Sequence, residues 1–255
     1  MTRRRWIADE VSGNTAALLG EHAAHLARVL RAEIGQEFDI ATGAEVRRGT
    51  ITSISDARVE FLLGEVLELT PLPQITLVMA IFKFDRMEWA IEKCTEIGVA
   101  RIIPLITHRT NSHLAGAAAK RRERWERLAR QASEQARRSA LPEIGAPVNL
   151  KDLATLLPAG TRIVLAESLV ESEDDLRLGR VLQSASSEVA LAVGPEGGWA
   201  DVELAWFRES GWASASLGDT ILRAETAAIV ATAIALDASY ARLDGRGRPC
   251  LREFI

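Results

Sequence analysis

Val189-Ala190-Leu191-Ala192-Val193-Gly194-Pro195-Glu196-Gly197-Gly198-Trp199 is the stretch whose reading decides the fold. Five consecutive apolar residues that empty into turn residues fit a buried strand. Three glycines and a proline in the next five positions turn the backbone sharply and let a ligand approach it. A second tight loop, Leu217-Gly218-Asp219-Thr220-Ile221-Leu222-Arg223, leads into Ala224-Glu225-Thr226-Ala227. Arg223, Glu225 and Glu196 are the charges at these turns that can do chemistry. A tight strand-to-helix connection would account for one such loop. Two of them, each behind an apolar run, mark a ligand site.

Outward from these loops the chain alternates strands and helices. Residues 75–82 read as a buried strand, and Asp85 opens a helix with Glu88 three residues on, in the manner of a capping box. Met87, Ala90, Ile91, Cys94 and Ile97 form its apolar stripe, and Gly98 ends it. Residues 100–106 return as a strand, and Pro104 predicts an edge position or a strand start. Residues 162–166 form another strand, 201–210 a short helix stopped by Gly211, and 226–243 a long apolar helix. Strands separated by helices imply an α/β fold, a mostly parallel sheet with helices on both faces. Ligands in such sheets bind beyond the carboxyl ends of the strands, so Ala166-Glu167 and the two loops share one rim.

Residues 1–70 differ. Runs at 38–41, 49–54 and 59–62 alternate with a period of two, and glycines 35, 43, 49 and 64 punctuate them. A helix over 21–32 places Leu26, Val29 and Leu30 on one face, with His25, Arg28 and Arg31 interleaved. With Arg3, Arg4 and Arg5 these form either a phosphate-contacting patch or a solvated face. Thr70-Pro71-Leu72-Pro73 is a stiff linker, which gives domains of 1–70 and 74–255. Residues 119–138 are the most basic stretch. Trp125, Leu128, Ala129, Ala132 and Ala136 make an apolar stripe, and Lys120, Arg124, Arg127, Arg130, Arg137 and Arg138 fill the remaining arc. An RNA-facing role and a solvated helix surface both fit.

The 255 residues are 47% hydrophobic and 26% charged, which excludes a disordered chain. Net charge is −4, so any nucleic-acid contact must come from local clusters. Cys94 and Cys250 make no disulfide framework, and His22, His25, His108 and His113 have no zinc spacing, so no metal is expected. No signal-peptide stretch follows the basic amino terminus, and no apolar run is long enough to span a bilayer. A cytoplasmic protein without a membrane partner is expected. Gly197-Gly198 is followed by Trp199 where a P-loop needs lysine and a hydroxyl; the Rossmann spacing and Gly-x-Ser-x-Gly are absent.

Gly194-Pro195-Glu196-Gly197-Gly198 followed by Leu217-Gly218-x-x-Ile221-Leu222-Arg223-x-Glu225-Thr226-Ala227 resembles the RsmE family of ribosomal RNA uridine-N3 methyltransferases, in the SPOUT superfamily. His25-Leu26-x-x-Val29-Leu30-Arg31 resembles its amino-terminal motif. Lys83-x-Asp85-Arg86-x-Glu88-Trp89 with Lys93 resembles its central one, and Trp125 with Glu134-Gln135-x-x-Arg138 matches the helix between. Phe84 stands where the family often has glycine, and Trp199 where phenylalanine is common. The resemblance implies a PUA-like β-barrel, then a SPOUT domain with a trefoil knot. It also implies homodimerisation, 16S rRNA or the small ribosomal subunit as substrate, and S-adenosylmethionine held in the knot loops. The residues implied for the cofactor are Ala166, Glu167, Gly194, Glu196, Gly198, Leu217, Gly218, Leu222 and Arg223. Those for RNA are Arg3, Arg4, Arg5, His25, Arg28, Arg31, Arg86, Arg124, Arg127 and Arg138.

The chemistry asks for alignment of the methyl group with uridine N3 and for removal of that nitrogen's proton. Glu196 and Glu225 are candidates for proton acceptor, and Arg223 for stabilising charge on the base. Glu225 also reads as a carboxylate favoured by a helix dipole, and Arg223 as a structural partner of either glutamate. A silent RNA-binding or assembly factor, and methylation of another RNA position, are the competing functions. The apolar run 227–236 is richer in small residues than one amphipathic helix needs, which suits a second covering surface.

Overall fold

The computed structural model describes residues 5–43, 45–67, 73–136, 138–166 and 177–244. The chain divides into two compact units, Met1–Pro71 with Arg130–Leu141, and Leu72–Ala129 with Pro142–Ile255.

The first unit holds β1 (Arg5–Ile7), β2 (Glu10–Ser12), β3 (Thr15–Leu19), α1 (Gly20–Ala24), β4 (Glu37–Ala41), β5 (Val46–Ile54) and β6 (Arg58–Leu67). Its strands run in the order β1-β4-β5-β6-β3-β2, antiparallel except for the β1–β4 pair. The period of two sorts each strand: Val59, Phe61 and Leu63 turn inward onto Leu18, Ile40 and Ile51, while Leu62 faces out. Two neighbouring amides close the sheet on itself. Ala8 N donates to Ala41 O and Asp9 N to Ala17 O, each at 2.9 Å, so the chain bonds one end of the sheet and then the other. The result is the barrel-like sheet that the resemblance implies. The β2–β3 hairpin was not legible, because β2 is exposed throughout and carries no apolar alternation.

The helix expected over 21–32 is corrected. After α1 the winding widens into a π-helical turn, His25–Val29, with Leu30 N donating to His25 O at 3.1 Å. The wider turn swings Val29 out to 66% exposure while Leu26 stays buried, so the two do not share a face. Arg31, at φ 49°, ends the turn.

The second unit runs β7 (Gln74–Ala80), α2 (Phe84–Ile97), β8 (Arg101–Ile106), α3 (Ser112–Gln135), β9 (Glu143–Ile144), β10 (Val148–Asn149), α4 (Leu150–Leu156) and β11 (Thr161–Leu165). Then come α5 (Leu178–Val181), β12 (Glu188–Val193), α6 (Asp201–Glu209), β13 (Ala213–Ala215) and α7 (Ala224–Asp244). The parallel sheet has the order β10-β8-β7-β12-β11-β13, with β9 beside β8. Leu77, Met79, Leu191 and Val193 pack under α2, α3 and α7; Val78, Val164, Ala190 and Ala192 pack under α4, α6, Trp199 and Trp212. Both faces are therefore covered, which is why these strands read as unbroken apolar runs. From Arg130 onward α3 belongs to the first unit. β11 lies between β12 and β13, which both follow it in sequence. The loops after β12 and β13 thus meet at one place, the connectivity in which the resemblance puts the trefoil knot.

Two details of this unit depart from expectation. α2 starts at Phe84 with Lys83 as its cap residue and without a side-chain cap, so Asp85 lies in the first turn, favoured there by the dipole. β8 is not an edge: β7 flanks it on one side and β9 and β10 on the other. Ile102 O accepts from Gly145 on the β9 side and Leu105 O from Ile81 on the β7 side. Pro104 therefore faces the gap between β9 and β10, where no donor is required. α2 and α7 form a close seam. Thr232 Oγ1 donates to Cys94 Sγ at 3.6 Å, burial pushes the Cys94 thiol up to about 12, and a Cβ on Gly98 would stand 3.4 Å from Leu236.

Half-buried charge in the first unit gathers at His22. Its Nδ1 lies 3.1 Å from Asp9 Oδ2 and its Nε2 3.2 Å from Glu134 Oε1, while Arg130 Nη1 reaches Asp9 Oδ1 at 3.0 Å. The hydrogen bond to Asp9 raises the His22 pKa against the effect of burial, and burial raises Glu134. Burial works to raise Asp9 too, but the His22 and Leu19 hydrogen bonds prevail and lower it. A raised histidine stabilises fully below its unfolded value of ~6.5 and loses that contribution as pH rises through the folded value. The raised Glu134 acts in the same direction above ~4.3. Asp9 acts oppositely, its contribution present above ~3.9 and lost as pH falls through its lowered value. The urea midpoint of the full chain is expected to fall between about pH 6 and 8, and His22→Gln to flatten that fall. Parallel curves for the two proteins would place the dependence elsewhere.

Candidate active site

At the carboxyl ends of β11, β12 and β13 lies a cavity of about 780 Å³. Its walls are the end of β11 (Leu165, Ala166), the Gly194–Trp199 loop and the Leu217–Arg223 loop, with Lys83, Arg86 and Arg109 at its margin. Of the residues expected to hold a cofactor, Ala166, Gly194, Glu196, Gly198, Leu217, Gly218, Leu222 and Arg223 all line it. Glu167 lies outside the described residues.

The loop after β12 needs its glycines for different reasons. Gly198 sits at φ 71° and, in the loop after β13, Gly218 at φ 127°, backbone that L side chains rarely adopt. Gly194 needs space instead: a Cβ there would stand 3.1 Å from the Trp199 indole. Trp199 folds back over the loop, donates Nε1–H to Leu165 O at 2.9 Å and packs edge-on against Phe207 at 4.8 Å. Bare backbone and apolar Leu165, Val193 and Leu217 thus face the cavity. This surface suits a flat apolar group beside polar backbone atoms.

Charge is distributed otherwise than the sequence suggested. Arg86, on α2, donates from Nη1 to Glu196 Oε1 at 2.6 Å, and its Nε lies 3.8 Å from Glu225 Oε1. Glu225 is only 5% exposed, in the first turn of α7, and its Oε2 is buried without a hydrogen-bond partner among the described residues. Arg223 is exposed: its carbonyl accepts from Ala227 N at 2.8 Å, and its side chain makes no hydrogen bond or ion pair with any described residue. The partner of the two glutamates is therefore Arg86.

The sequence pattern did not reveal a second set of supports. Arg109 Nη1 donates to Gly197 O, and a Cβ on Gly197 would stand 3.4 Å from the Arg109 side chain. Glu203, 4% exposed, accepts from Ala200 N and from His108 N, each at 2.8 Å. The carboxylate thus caps α6 and ties the segment after β8 to the start of that helix. Glu203 three residues after Ala200 was the available signal, obscured because Ala200 offers no capping side chain. Phe84 has a local role: it packs edge-on against Trp125 at 5.9 Å, beneath the Arg121 guanidinium at 4.8 Å.

The expected RNA contacts fall into separate places. In the first unit His25 is exposed and tilted against Trp6, Arg28 pairs with Asp56, Arg31 is exposed, Arg5 is half-buried and Arg138 is buried. In the second unit Arg124 donates to Glu88 Oε1 at 2.9 Å and Arg127 is exposed. Arg3, Arg4 and Arg137 lie outside the described residues. Among the described residues no His, Cys, Asp and Glu group could hold a metal, and no helix is long and apolar enough to cross a membrane.

Residues 69–236 match the RNA methyltransferase domain family. The chain belongs to this family. The ribosomal RNA small subunit methyltransferase E of Synechocystis sp. is 34% identical over 230 residues, covering 88% of this chain and 74% of that protein. The enzyme of the same name from Bacillus subtilis is 28% identical, covering 85% and 88%. Solved structures match over most of the chain. The ribosomal RNA small subunit methyltransferase E of Neisseria gonorrhoeae, bound to S-adenosyl methionine, matches with a TM-score of 0.76 and 26% identity, covering 91% of this chain and 96% of that one. A Legionella pneumophila protein in complex with the cofactor SAM matches with the same score and 30% identity, covering 93% and 98%.

Glu203 offers a test of the scaffold. Glu203→Ala would leave the buried Ala200 amide and the part-buried His108 amide without their acceptor, and a loss of about 1–3 kcal/mol of stability is expected from urea unfolding. Glu203→Gln keeps one acceptor oxygen and should fall between it and the parent. Equal midpoints for all three proteins would exclude this bracing role.

Proposed function

We propose that this protein transfers a methyl group from S-adenosylmethionine to N3 of a uridine in 16S ribosomal RNA, in the cytoplasm. The carrying observation is the glycine-lined cavity at the strand ends, with an exposed arginine beside it that has no partner among the described residues, in a chain of the RNA methyltransferase family. Support for the cofactor comes from the related structures holding it and from the fit of the cavity's bare backbone and apolar walls. When bound, S-adenosylmethionine supplies an activated methyl group on sulfur.

The chain's own residues have three tasks. The loops after β12 and β13 bind and orient. Arg223, without a protein partner among the described residues, meets negative charge developing on the uracil oxygens. Glu196 receives the N3 proton: Arg86 holds its Oε1, which leaves Oε2 for the substrate. Glu225 is too deeply buried for that step and serves as the structural carboxylate behind Arg86. Arg31 and Arg127, both exposed, are the cations we assign to RNA phosphates, with the exposed His25 as a further polar contact. A second copy of the chain covers the outward face of α7, where Val230 and Ala233 are not buried. Sedimentation at working concentration should show a dimer, and a monomer would remove that part of the reading.

Nucleoside mass spectrometry of rRNA from a strain lacking this protein should show one N3-methyluridine lost, restored by the parent gene. Unchanged modified uridines would overturn the proposal. With purified protein, Gly198→Val should weaken cofactor affinity about tenfold or more, since a β-branched residue resists positive φ. Arg223→Ala should keep that affinity and slow single-turnover transfer about 100-fold. Proportional loss of affinity and rate in Arg223→Ala would make Arg223 a binding residue instead.

A further inference from the structure

Arg86 is more than a surface cation. It sits on α2, which is fixed by the α7 seam and by Met87, Ala90 and Ile91 in the core. From that rigid position its guanidinium spans two carboxylates of unlike character. Glu225 is buried at the start of α7 and has no hydrogen-bond donor for its second oxygen among the described residues. Glu196 is on the glycine-rich loop, its side chain 39% exposed.

A pair as exposed as Arg86–Glu196 contributes little to stability. Its effect lies in orientation. Glu196 follows Pro195 in a tight turn closed by Gly198 N donating to Pro195 O at 2.8 Å, which fixes its backbone but leaves its carboxylate to be oriented from outside the loop. Arg86 supplies what the loop lacks, because the buried charge of Glu225 restrains the guanidinium from behind before Glu196 engages it. We infer that Arg86 is a positioning residue: it fixes the Glu196 carboxylate at the cavity margin, with Glu225 as the buried anchor that holds Arg86 in place. This rests on the reading of Glu196 as proton acceptor. It moves Arg86 from the RNA contacts that the resemblance implied into the machinery of the site.

The obvious variant confounds two effects, since Arg86→Gln alone strands a buried Glu225 charge and destabilises the chain. The double variant Arg86→Gln/Glu225→Gln removes both charges and serves as the test, beside Glu225→Gln and Arg86→Lys. Three readouts are taken: urea midpoint, hydrogen exchange of the Glu196–Trp199 amides, and single-turnover methyl transfer at saturating S-adenosylmethionine. Relative to Arg86→Gln, the double variant should regain its urea midpoint. Relative to Glu225→Gln, its loop amides should still exchange faster, and its transfer should be slower by about 100-fold, the scale of a small misplacement of a reacting group. Arg86→Lys, which keeps the charge without the planar fork, should lie between. A double variant that regains stability together with parental transfer, or loop exchange unchanged from Glu225→Gln, would overturn the positioning role. Absence of transfer by the parent protein, with loop exchange still responding to Arg86, would instead count against the methyl-transfer reading and leave the tether standing.

Discussion

The indole N–H of Trp199 donating to the Leu165 carbonyl is the interaction on which the cavity depends. It ties the loop after β12 to the end of β11, the neighbouring strand, and so joins two walls of the same space. The ring that makes this bond also occupies the volume that a side chain at position 194 would need, and it rests on Phe207 of α6. Within the loop, Gly198 N donates to Pro195 O at 2.8 Å and closes a tight turn. An aromatic lever anchored among the residues under α4 and α6 braces it. The Arg109 bond to Gly197 and the Glu203 cap of α6 hold the same loop from the far side. The loop is thus flexible in composition and fixed in context, which a binding site with preformed walls requires.

Charge at the site is arranged by depth. The buried Glu225 is fixed by a helix end and matched by Arg86; the more exposed Glu196 shares that arginine; Arg223 stands outside with no described partner. Burying an unmatched carboxylate is costly, so the pairing of Glu225 is forced by solvation before any question of chemistry arises. Two similar side chains therefore divide the labour. One glutamate belongs to the scaffold. The other is presented to the cavity margin by the scaffold's own counter-ion.

The amino-terminal unit solves a different problem. The consecutive amides of Ala8 and Asp9 bond β4 and then β3, so one continuous segment links the two ends of the curled sheet. The π-helical turn lies after α1, in the connection from β3 to β4. Its consequence is an exposed Val29 and a left-handed Arg31 at the surface. Such widened turns and strained residues concentrate at functional positions, and here they fall within the His25-to-Arg31 motif.

By itself the sequence determined what neighbours along the chain can dictate. Apolar runs at 75–82 and 189–193 announced buried strands, alternation at 59–62 a half-exposed one, and glycines 98, 198 and 218 a helix end and two tight turns, where the backbone does take positive φ. The two loops that line the cavity were legible for the same reason, since glycine and proline act locally. Tertiary structure alone decided the partners. Arg86 meets Glu196 across 110 residues and Glu203 meets His108 across 95, distances over which no period or propensity carries information. The position of Pro104 likewise depended on strand order, and the exposure of Val29 on a backbone that left the α-helical period. Local sterics are written in adjacent residues; which charge neutralises which is settled only when the strand order brings loop ends together.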